Sequence, residues 1–323
     1  MTAPAGDILI DKRTGAVQGA SGREAVVLAT LKAAAGALAP FEDIGFSHVC
    51  KLIRPFATDR AVALRLSDDT QFRFPFADGY WTPLILKNYR YEPELAALLV
   101  AVADVDFVFV DCGANFGYWS CQVTSRAFGA HRAIAIEAAS TNAALLSANA
   151  SLNGGRFEVI HAAIGERGGE SVALRGAKHE SFSIDGANDG PVVETVTTLA
   201  LDDLLDRPTV ANASHIVLKL DVEGMEQAAI RGGRKLLSKD AVVIGEEHGN
   251  DPGHAVSRFL ADDGFRLFFH DAGRFVELTD LVRQLDAYKT NPRWGYNVFA
   301  TKSAFWAERL AAVKPSDLSK RNT

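Results

Sequence analysis

The chain has 323 residues, of which 48% are hydrophobic and 23% are charged, and its formal net charge is −6. This is the composition of an ordinary globular protein, and no block of Lys and Arg stands out that would favour nucleic acid or another polyanion as a partner. Three cysteines do not make a disulfide framework and no apolar run is long enough for a membrane span, so we expect a cytoplasmic protein.

The first part of the chain predicts a small α+β extension. Residues 1–20 show no regular pattern and are expected to be loose. Residues 25–39 are rich in Ala and Leu and end before a proline, which indicates a helix. Residues 61–66 and 71–76 alternate apolar and polar side chains around a polar turn, which predicts a β-hairpin. We assign residues 1–85 to this N-terminal extension.

From Asp106 onward, short apolar strands alternate with helices. This pattern is typical of a doubly wound α/β domain with a mostly parallel sheet. Seven strands are predicted, at residues 107–110, 132–136, 157–164, 216–220, 241–245, 265–269 and 297–301. Residues 165–197 interrupt this alternation of strands and helices. They are rich in glycine, and we predict that they form a β excursion, a few short strands at the rim of the sheet. We assign residues 86–302 to this domain and residues 303–323 to a C-terminal helical tail.

The first predicted strand of this domain leads into the turn around which the rest is organised. Residues 106–117 read DFVFVDCGANFG. Ligands of open α/β sheets bind beyond the carboxyl ends of the strands, and glycines allow a ligand to approach the backbone closely. The candidate cofactor contacts are therefore Asp111, Gly113, Asn115 and Gly117. The alternative is a buried strand whose aspartate caps a helix without any ligand.

Glu137 ends the second strand, where nucleotide-binding units place an acid that binds the ribose hydroxyls. The turn reads GANFG rather than the GxGxxG of a dinucleotide site, and no P-loop sequence is present. An adenosyl ligand without phosphate fits better, and S-adenosylmethionine is such a ligand. Asp111 would then lie near its methionyl end, and Ala162 could meet the adenine edge. The alternatives are a solvated charge for Glu137 and plain packing for Ala162.

Two further groups of polar residues follow the fourth and fifth strands. Asp221 and Glu223 could orient an acceptor, although both residue types are also favoured near a helix N-terminus. His248 is a candidate general base because the pKa of imidazole lies near neutrality, and Glu247 is a candidate acceptor contact. The alternative for His248 is an ordinary surface histidine. A metal site of Asp221, Glu246 and His248 lacks a tight ligand spacing, so no metal is predicted.

Together these blocks resemble the FkbM-like family of S-adenosylmethionine-dependent methyltransferases. The resemblance is carried by residues 111–118, Glu137, TLALDDL at 198–204, LKLDVEGME at 218–226 and YNVFA at 296–300. It implies a seven-stranded, Rossmann-like fold of the class I methyltransferase type. It also implies O-methylation of a hydroxyl on a sugar, glycan or polyketide-type product. Cys112 and Ala138 depart from the Val and Pro that are common in the family, but neither change removes a functional side chain.

The methyl donor suggests which residues carry the chemistry. Transfer from a sulfonium depends mainly on holding the acceptor oxygen close to the methyl carbon, and an alkyl hydroxyl benefits from a base. Asp221 and His248 are the candidate bases. Two other functions are compatible with the chain. A nicotinamide-dependent oxidoreductase is disfavoured by the missing GxGxxG, and a non-catalytic S-adenosylmethionine-binding protein is disfavoured by the acids kept at three strand ends.

Overall fold

The computed structural model describes residues 6–38, 45–175, 183–184, 192–222, 224–292 and 294–314. The strands are β1 (Ile8–Asp11), β2 (Val17–Gln18), β3 (Ala61–Arg65), β4 (Gln71–Pro75), β5 (Phe107–Cys112), β6 (Arg132–Glu137), β7 (Phe157–His161), β8 (Ala163–Gly165), β9 (Ser171–Arg175), β10 (Ser183–Ile184), β11 (Val192–Ala200), β12 (His215–Leu220), β13 (Asp240–His248), β14 (Arg266–Asp271), β15 (Arg274–Glu277) and β16 (Gly295–Thr301). The α-helices are α1 (Gly22–Leu38), α2 (Phe46–Ile53), α3 (Pro93–Ala101), α4 (Tyr118–Val123), α5 (Ser140–Leu152), α6 (Pro208–Ala211), α7 (Glu226–Arg231), α8 (Ala255–Asp262), α9 (Leu281–Tyr288) and α10 (Ala304–Ala312).

The main domain is built on an eight-stranded sheet with the order β15-β14-β16-β13-β12-β5-β6-β7. The strands from β13 to β7 in this order pair in parallel, and β16, β14 and β15 pair antiparallel at the other edge. All six residues of the central β5 are buried, as expected of a strand covered on both faces. The predicted α/β, Rossmann-like fold is confirmed.

The predicted count of seven strands was one too few. β14 and β15 form a hairpin in which Asp271 pairs with Arg274. The two residues between them, Ala272 and Gly273, both have positive φ angles, of 46° and 81°. Such a two-residue turn matches the twist of paired strands. β15 has only four residues, so its alternating pattern is too short to be read with confidence from the sequence.

The third predicted strand, residues 157–164, divides between two sheets. β7 closes the edge of the main sheet, whereas β8 pairs in parallel with β11. β8, β11, β9 and β10 form a separate four-stranded sheet, which is the predicted β excursion. The chain changes sheets at Ala162, whose N–H donates to the carbonyl of Glu137 at 3.1 Å. Residues 162 and 163 therefore lie next to the end of β6.

The N-terminal extension is more ordered than its sequence indicates. Residues 1–20 were predicted to be loose, but β1 and β2 join the confirmed β3–β4 hairpin in a sheet of order β2-β1-β3-β4. Ile8 and Ile10 of β1 are both 0% exposed. Their burial requires the parallel pairing of β1 with β3, a contact between segments about fifty residues apart in the chain.

Two asparagines of α5 attach this extension to the main domain. The side chain of Asn149 accepts from the N–H of Arg73 at 2.7 Å and donates to its carbonyl at 2.9 Å. Asn153 does the same for Gln71, at 3.0 Å and 2.7 Å. The open edge of β4 is thereby satisfied by side chains rather than by another strand. The aromatic segment that follows β4 lies beside the carboxyl ends of the main sheet, where Tyr80, Trp81 and Tyr91 line a cleft.

Cys50, Cys112 and Cys121 are unpaired and buried. Among the helices of the described residues, none has the length and apolar character needed to cross a bilayer.

Candidate active site

One face of the main sheet carries the acids at the strand ends. Alternate side chains of a strand point to the same face. Phe109 of β5, Val217 of β12 and Ile244 of β13 belong to one core cluster. The polar residues that continue this alternation towards the carboxyl ends are Asp111, Glu137, Lys219, Asp221, Glu246 and His248. The fold therefore brings these charges together above the sheet.

A cleft opens at the ends of β5, β6 and β12. Six of the residues predicted from the sequence line it: Asp111, Gly113, Asn115, Glu137, Ala162 and Asp221. Gly117, which was expected to contact the cofactor, is not among the lining residues; an added Cβ there would meet the Leu146 side chain at 2.4 Å. Glu223 is outside the described residues. Lys219, Tyr80, Trp81 and Tyr91 complete much of the lining.

Gly113 is where two strand-end turns touch. Its N–H and that of Ala114 both donate to the carbonyl of Ile136 at 3.0 Å. Its φ angle is +77°, and an added Cβ would lie 1.8 Å from the carbonyl oxygen of Asp221. Only glycine satisfies both the backbone angle and this close approach. The contact sets the distance between the turn after β5 and the turn after β12.

Gly113→Ala is expected to destabilise the protein by more than about 2 kcal/mol, because the methyl group must push two backbone segments apart at an unfavourable φ. Gly154→Ala is the matched control, since Gly154 has φ +75° but no atom within 4 Å of an added Cβ. Urea denaturation of both variants separates the effect of the angle from that of the collision. Equal losses of stability in the two variants would contradict the close contact.

Glu137 is held by the turn that follows β5. Its Oε2 accepts from the N–H of Asn115 at 2.8 Å, and its Oε1 accepts from the N–H of Ala139 at 2.9 Å. Burial raises the pKa of Glu137, although these hydrogen bonds oppose the shift. Asn115 is itself fixed, because its Oδ1 accepts from Trp81 Nε1 at 3.1 Å. The carboxylate is thus oriented beside the cleft with lone pairs still available for a diol.

Asp111 lies at the bottom of the cleft and is 2% exposed. Its Oδ2 accepts from the hydroxyl of Ser120 at 2.7 Å. Burial raises the pKa of Asp111 to about 6, against the opposing effects of the Lys219 ammonium and the Ser120 hydroxyl. At neutral pH the carboxyl group is therefore mostly ionised in a poorly solvated place, which favours a positive ligand group beside it.

Lys219 is the buried cation of the site, with 4% exposure. Its Nζ lies 2.8 Å from Oδ2 of Asp221 and 4.0 Å from Oε1 of Glu92. Burial opposes its charge, but the surrounding carboxylates outweigh burial and hold the pKa of Lys219 well above its ordinary value. Glu92 is fixed in turn by hydrogen bonds from Trp119 and from Asn297, the latter at 3.0 Å.

From the sequence, Glu246 was considered only as a ligand of a rejected metal site, yet it adjoins Asp221. Burial and the Asp221 charge raise the pKa of Glu246 to about 9. Burial also disfavours the ionised form of Asp221, but Lys219 and a hydrogen bond with Glu246 outweigh it and lower the pKa of Asp221. An added Cβ at Gly295 would lie 1.4 Å from Oε1 of Glu246. Near neutrality Glu246 is therefore protonated, and its O–H group donates a hydrogen bond to the Asp221 carboxylate.

Glu247 and His248 lie on opposite faces of β13. Glu247 is 1% exposed, and its Oε2 accepts from the N–H of Ser257 in α8 at 2.9 Å. Its carboxylate points away from the cleft, contrary to the acceptor contact expected from the sequence. His248 shares the face of Glu246, and it is among the residues that lower the pKa of Asp221. His248 is not among the residues that line the cleft.

Aromatic side chains form the outer side of the cleft. The hydroxyl groups of Tyr80 and Tyr91 are 2.8 Å apart and share a hydrogen bond. Trp81 packs edge-on against Tyr80, with ring centroids separated by 4.9 Å. Tyr80 is 38% exposed, so this side faces solvent. Carboxylates at the bottom and aromatic rings at the mouth suit a ligand that is cationic at one end and an acceptor that carries a ring.

The chain matches a known family over its central part. Residues 111–267 fit the sequence model of the Methyltransferase FkbM domain. No curated protein matches the chain. Among solved structures, the methyltransferase FkbM from Methylobacillus flagellatus KT is 17% identical with a TM-score of 0.39, and the alignment covers 60% of this chain and 43% of that one. The chain thus spans less than half of that protein.

Two further solved structures are similar at the same level. The precorrin-6y C5,15-methyltransferase from Geobacter metallireducens GS-15 is 16% identical with a TM-score of 0.38, over 67% of this chain and 92% of that one. The O-methyltransferase from Bacillus cereus, in complex with SAH, is 13% identical with a TM-score of 0.36, over 66% and 82%. At these TM-scores the likeness does not bear on function, and the assignment rests on residues 111–267.

Proposed function

We propose that the chain, whose residues 111–267 match the Methyltransferase FkbM domain, is an S-adenosylmethionine-dependent methyltransferase that methylates a hydroxyl oxygen of a sugar, glycan or polyketide-type acceptor. The observation that supports this proposal is that Asp111, Glu137 and Asp221 line a single cleft whose mouth is aromatic. The acceptor is small or a glycan in this proposal, and nucleic acid is not the substrate.

The residues of the cleft fit the proposed donor. Three carboxylates and one ammonium line it, so its charge suits the cationic sulfonium and amino groups. Glu137 is oriented to accept both ribose hydroxyl hydrogens. The main chain of Ala162 lies beside the end of β6, where we place the adenine edge, and Asn115 and Gly113 shape the turn below. The cleft encloses only about 90 Å³, so we infer that the Tyr80–Tyr91 side moves outward on binding.

S-adenosylmethionine, when bound, supplies a methyl group on a positively charged sulfur. The protein must hold the acceptor hydroxyl in line and remove its proton while the oxygen–carbon bond forms and the carbon–sulfur bond breaks, which leaves neutral S-adenosylhomocysteine. We propose Asp221 as the base, because it is ionised, lines the cleft and is fixed by Lys219 at 2.8 Å. The hydroxyl O–H bond breaks and the proton passes to the Asp221–Glu246 pair. His248, on the same face of the sheet, is the second candidate base, and Glu223 is kept as a proposed acceptor contact.

Calorimetric titration tests the donor. The purified protein is titrated in parallel with S-adenosylmethionine, S-adenosylhomocysteine and NAD, and we expect only the two adenosyl compounds to bind. Hydroxylated sugars and glycans are then screened as acceptors by mass spectrometry for addition of a methyl group. Binding of NAD alone would favour the oxidoreductase instead. Donor binding without methylation of any hydroxyl acceptor would favour a non-catalytic binding protein.

Glu137→Gln is expected to weaken donor binding by about 10–100-fold. An amide accepts fewer hydrogens than a carboxylate and turns an N–H group towards the Asn115 or Ala139 donors, which costs roughly 1.5–3 kcal/mol. Glu158→Gln is the control, because Glu158 is half-exposed on β7 and pairs with Arg207 outside the cleft. Both dissociation constants are measured by calorimetry. An unchanged affinity in Glu137→Gln would rule out the ribose contact.

A further inference from the structure

A second cavity lies on the other side of the aromatic residues of the cleft. It has a volume of about 730 Å³, within the roughly 300–1,000 Å³ of ligand sites. Tyr91, Tyr118 and Trp119 line both cavities. Its walls come from the N-terminal sheet, the segment before α3, and α4. The two cavities are therefore neighbours that share a wall of three aromatic rings.

This second cavity is positively charged in a protein whose net charge is −6. Five cations line it, and we name it the basic groove after them: Lys12, Arg13, Arg65, Lys87 and Arg90. The two acids of the lining, Asp11 and Asp68, lie 3.9 Å and 3.1 Å from Arg65 and so offset that one charge. Neither Arg13 nor Lys87 has a carboxylate within ion-pair distance in the described part of the chain. The groove thus keeps a surplus of positive charge.

Lys12 connects two of the segments that carry the cations of the basic groove. Its ammonium donates to the carbonyls of Leu84 and Tyr89, both at 2.8 Å, and to that of Leu86. It thereby ties the turn after β1 to the segment that carries Lys87 and Arg90. Burial, together with the nearby Arg90 guanidinium, lowers the pKa of Lys12 to about 8. A partly buried lysine therefore holds like charges close to one another, an arrangement that favours an anionic ligand.

We propose that the basic groove binds the oxyanion of the acceptor, a phosphate or carboxylate carried on a sugar whose hydroxyl reaches the cleft. Arginine guanidinium groups match both oxyanions with paired hydrogen bonds, and the aromatic side chains of Tyr89 and Trp119 are among the residues that line the groove. The inference rests on the proposed methyl transfer, because it makes the groove part of the acceptor site. It narrows the acceptor class from any hydroxyl compound to an anionic sugar.

Ligand-observed NMR titration tests the groove without needing methyl transfer. The probes are a glucose monophosphate, glucuronate, glucose and a single-stranded oligonucleotide, each added separately to the full chain. We expect the two anionic sugars to bind at least about tenfold more tightly than glucose, and added salt to weaken them. Comparison of the phosphate with the carboxylate identifies the preferred oxyanion. Equal affinity for all three sugars overturns the proposal, and so does a clear preference for a single-stranded oligonucleotide over the anionic sugars.

The variant for this test is Arg13→Glu combined with Lys87→Glu, two exposed positions at which the fold should tolerate the change. The control is Arg258→Glu combined with Arg274→Glu, which changes the net charge equally at exposed positions outside the groove. We expect about a tenfold or greater loss of anionic-sugar affinity in the first variant alone, with S-adenosylmethionine affinity unchanged in both. Equal losses in variant and control overturn the groove. Failure of the donor to bind the unaltered protein overturns the proposed function instead.

Discussion

Lys219→Met is expected to lower the free energy of unfolding by about 3–5 kcal/mol near neutral pH, the usual cost of removing one partner from a buried ion pair. Methionine fills a similar volume but leaves the Asp221 and Glu92 carboxylates without the ammonium that lies 2.8 Å and 4.0 Å from them. Asp111 also loses the positive charge that now opposes its pKa shift. Three buried or partly buried carboxylates are then left without a cation.

The pH dependence of this loss follows from the same carboxylates. The pKa of Asp111 is already raised from 3.8 to about 6, and that of Glu92 is raised from 4.5. A carboxyl whose folded pKa lies above its unfolded value stays protonated to a higher pH in the folded protein. The free energy of unfolding therefore falls as pH rises from the unfolded pKa to the folded pKa. Lys219 lowers the pKa of both carboxyls, so without it their folded pKa values rise further above the unfolded ones. The loss of stability is therefore expected to be largest above about pH 6 and to shrink towards about pH 4.

Urea denaturation at several pH values measures both effects. Lys302→Met is the control, because Lys302 forms an ion pair of the same 2.8 Å length with Asp263 but its side chain is 44% exposed. Such an exposed pair contributes less than about 1 kcal/mol. If Lys219→Met were no more harmful than this control, or if its effect did not depend on pH, the carboxylates would not rely on the ammonium.

The central sheet and the bottom of the cleft could be predicted from the sequence because their signals are local. A buried parallel strand is a short run of β-branched and aromatic residues, and its end marks the ligand site. Asp111, Glu137 and Asp221 each follow such a run, and all three line the cleft. Alternation along β13 could also have distinguished Glu246 from Glu247, since Ile244 and Glu246 share one face of the strand.

Other features depend on contacts between distant segments. β1 is a strand of only four residues that is stabilised by its pairing with β3, and no pattern in the sequence near β1 indicates that pairing. The cations of the basic groove are scattered along the sequence between residues 12 and 90, so no Lys/Arg block reveals them. Because the N-terminal sheet assembles the groove, the lack of a Lys/Arg block, from which no polyanionic partner was expected, does not exclude a site for an anionic sugar on the folded surface.

Asp221→Asn is expected to reduce turnover by about 10²–10⁴-fold, the usual contribution of a positioned base. The amide can still accept a hydrogen bond from Lys219 but cannot take a proton from the acceptor hydroxyl. Donor affinity, measured by calorimetry, should change much less than turnover. A variant with full turnover would exclude Asp221 as the base, and the parallel variant His248→Ala would then show whether the imidazole fills that role.

Glu246→Gln separates the two carboxyls of the pair. Gln can donate the hydrogen bond that protonated Glu246 gives to Asp221, so with Asp221 as the base the variant should keep most of its turnover at neutral pH. The pKa of Glu246 is raised to about 9, above its ordinary 4.5, so burial of this carboxyl costs stability as pH rises through that window. Glu246→Gln should therefore be more stable than the unaltered protein under alkaline conditions and equal to it in acid. If the ionised Glu246 were the base, turnover would instead climb towards pH 9 and vanish in this variant.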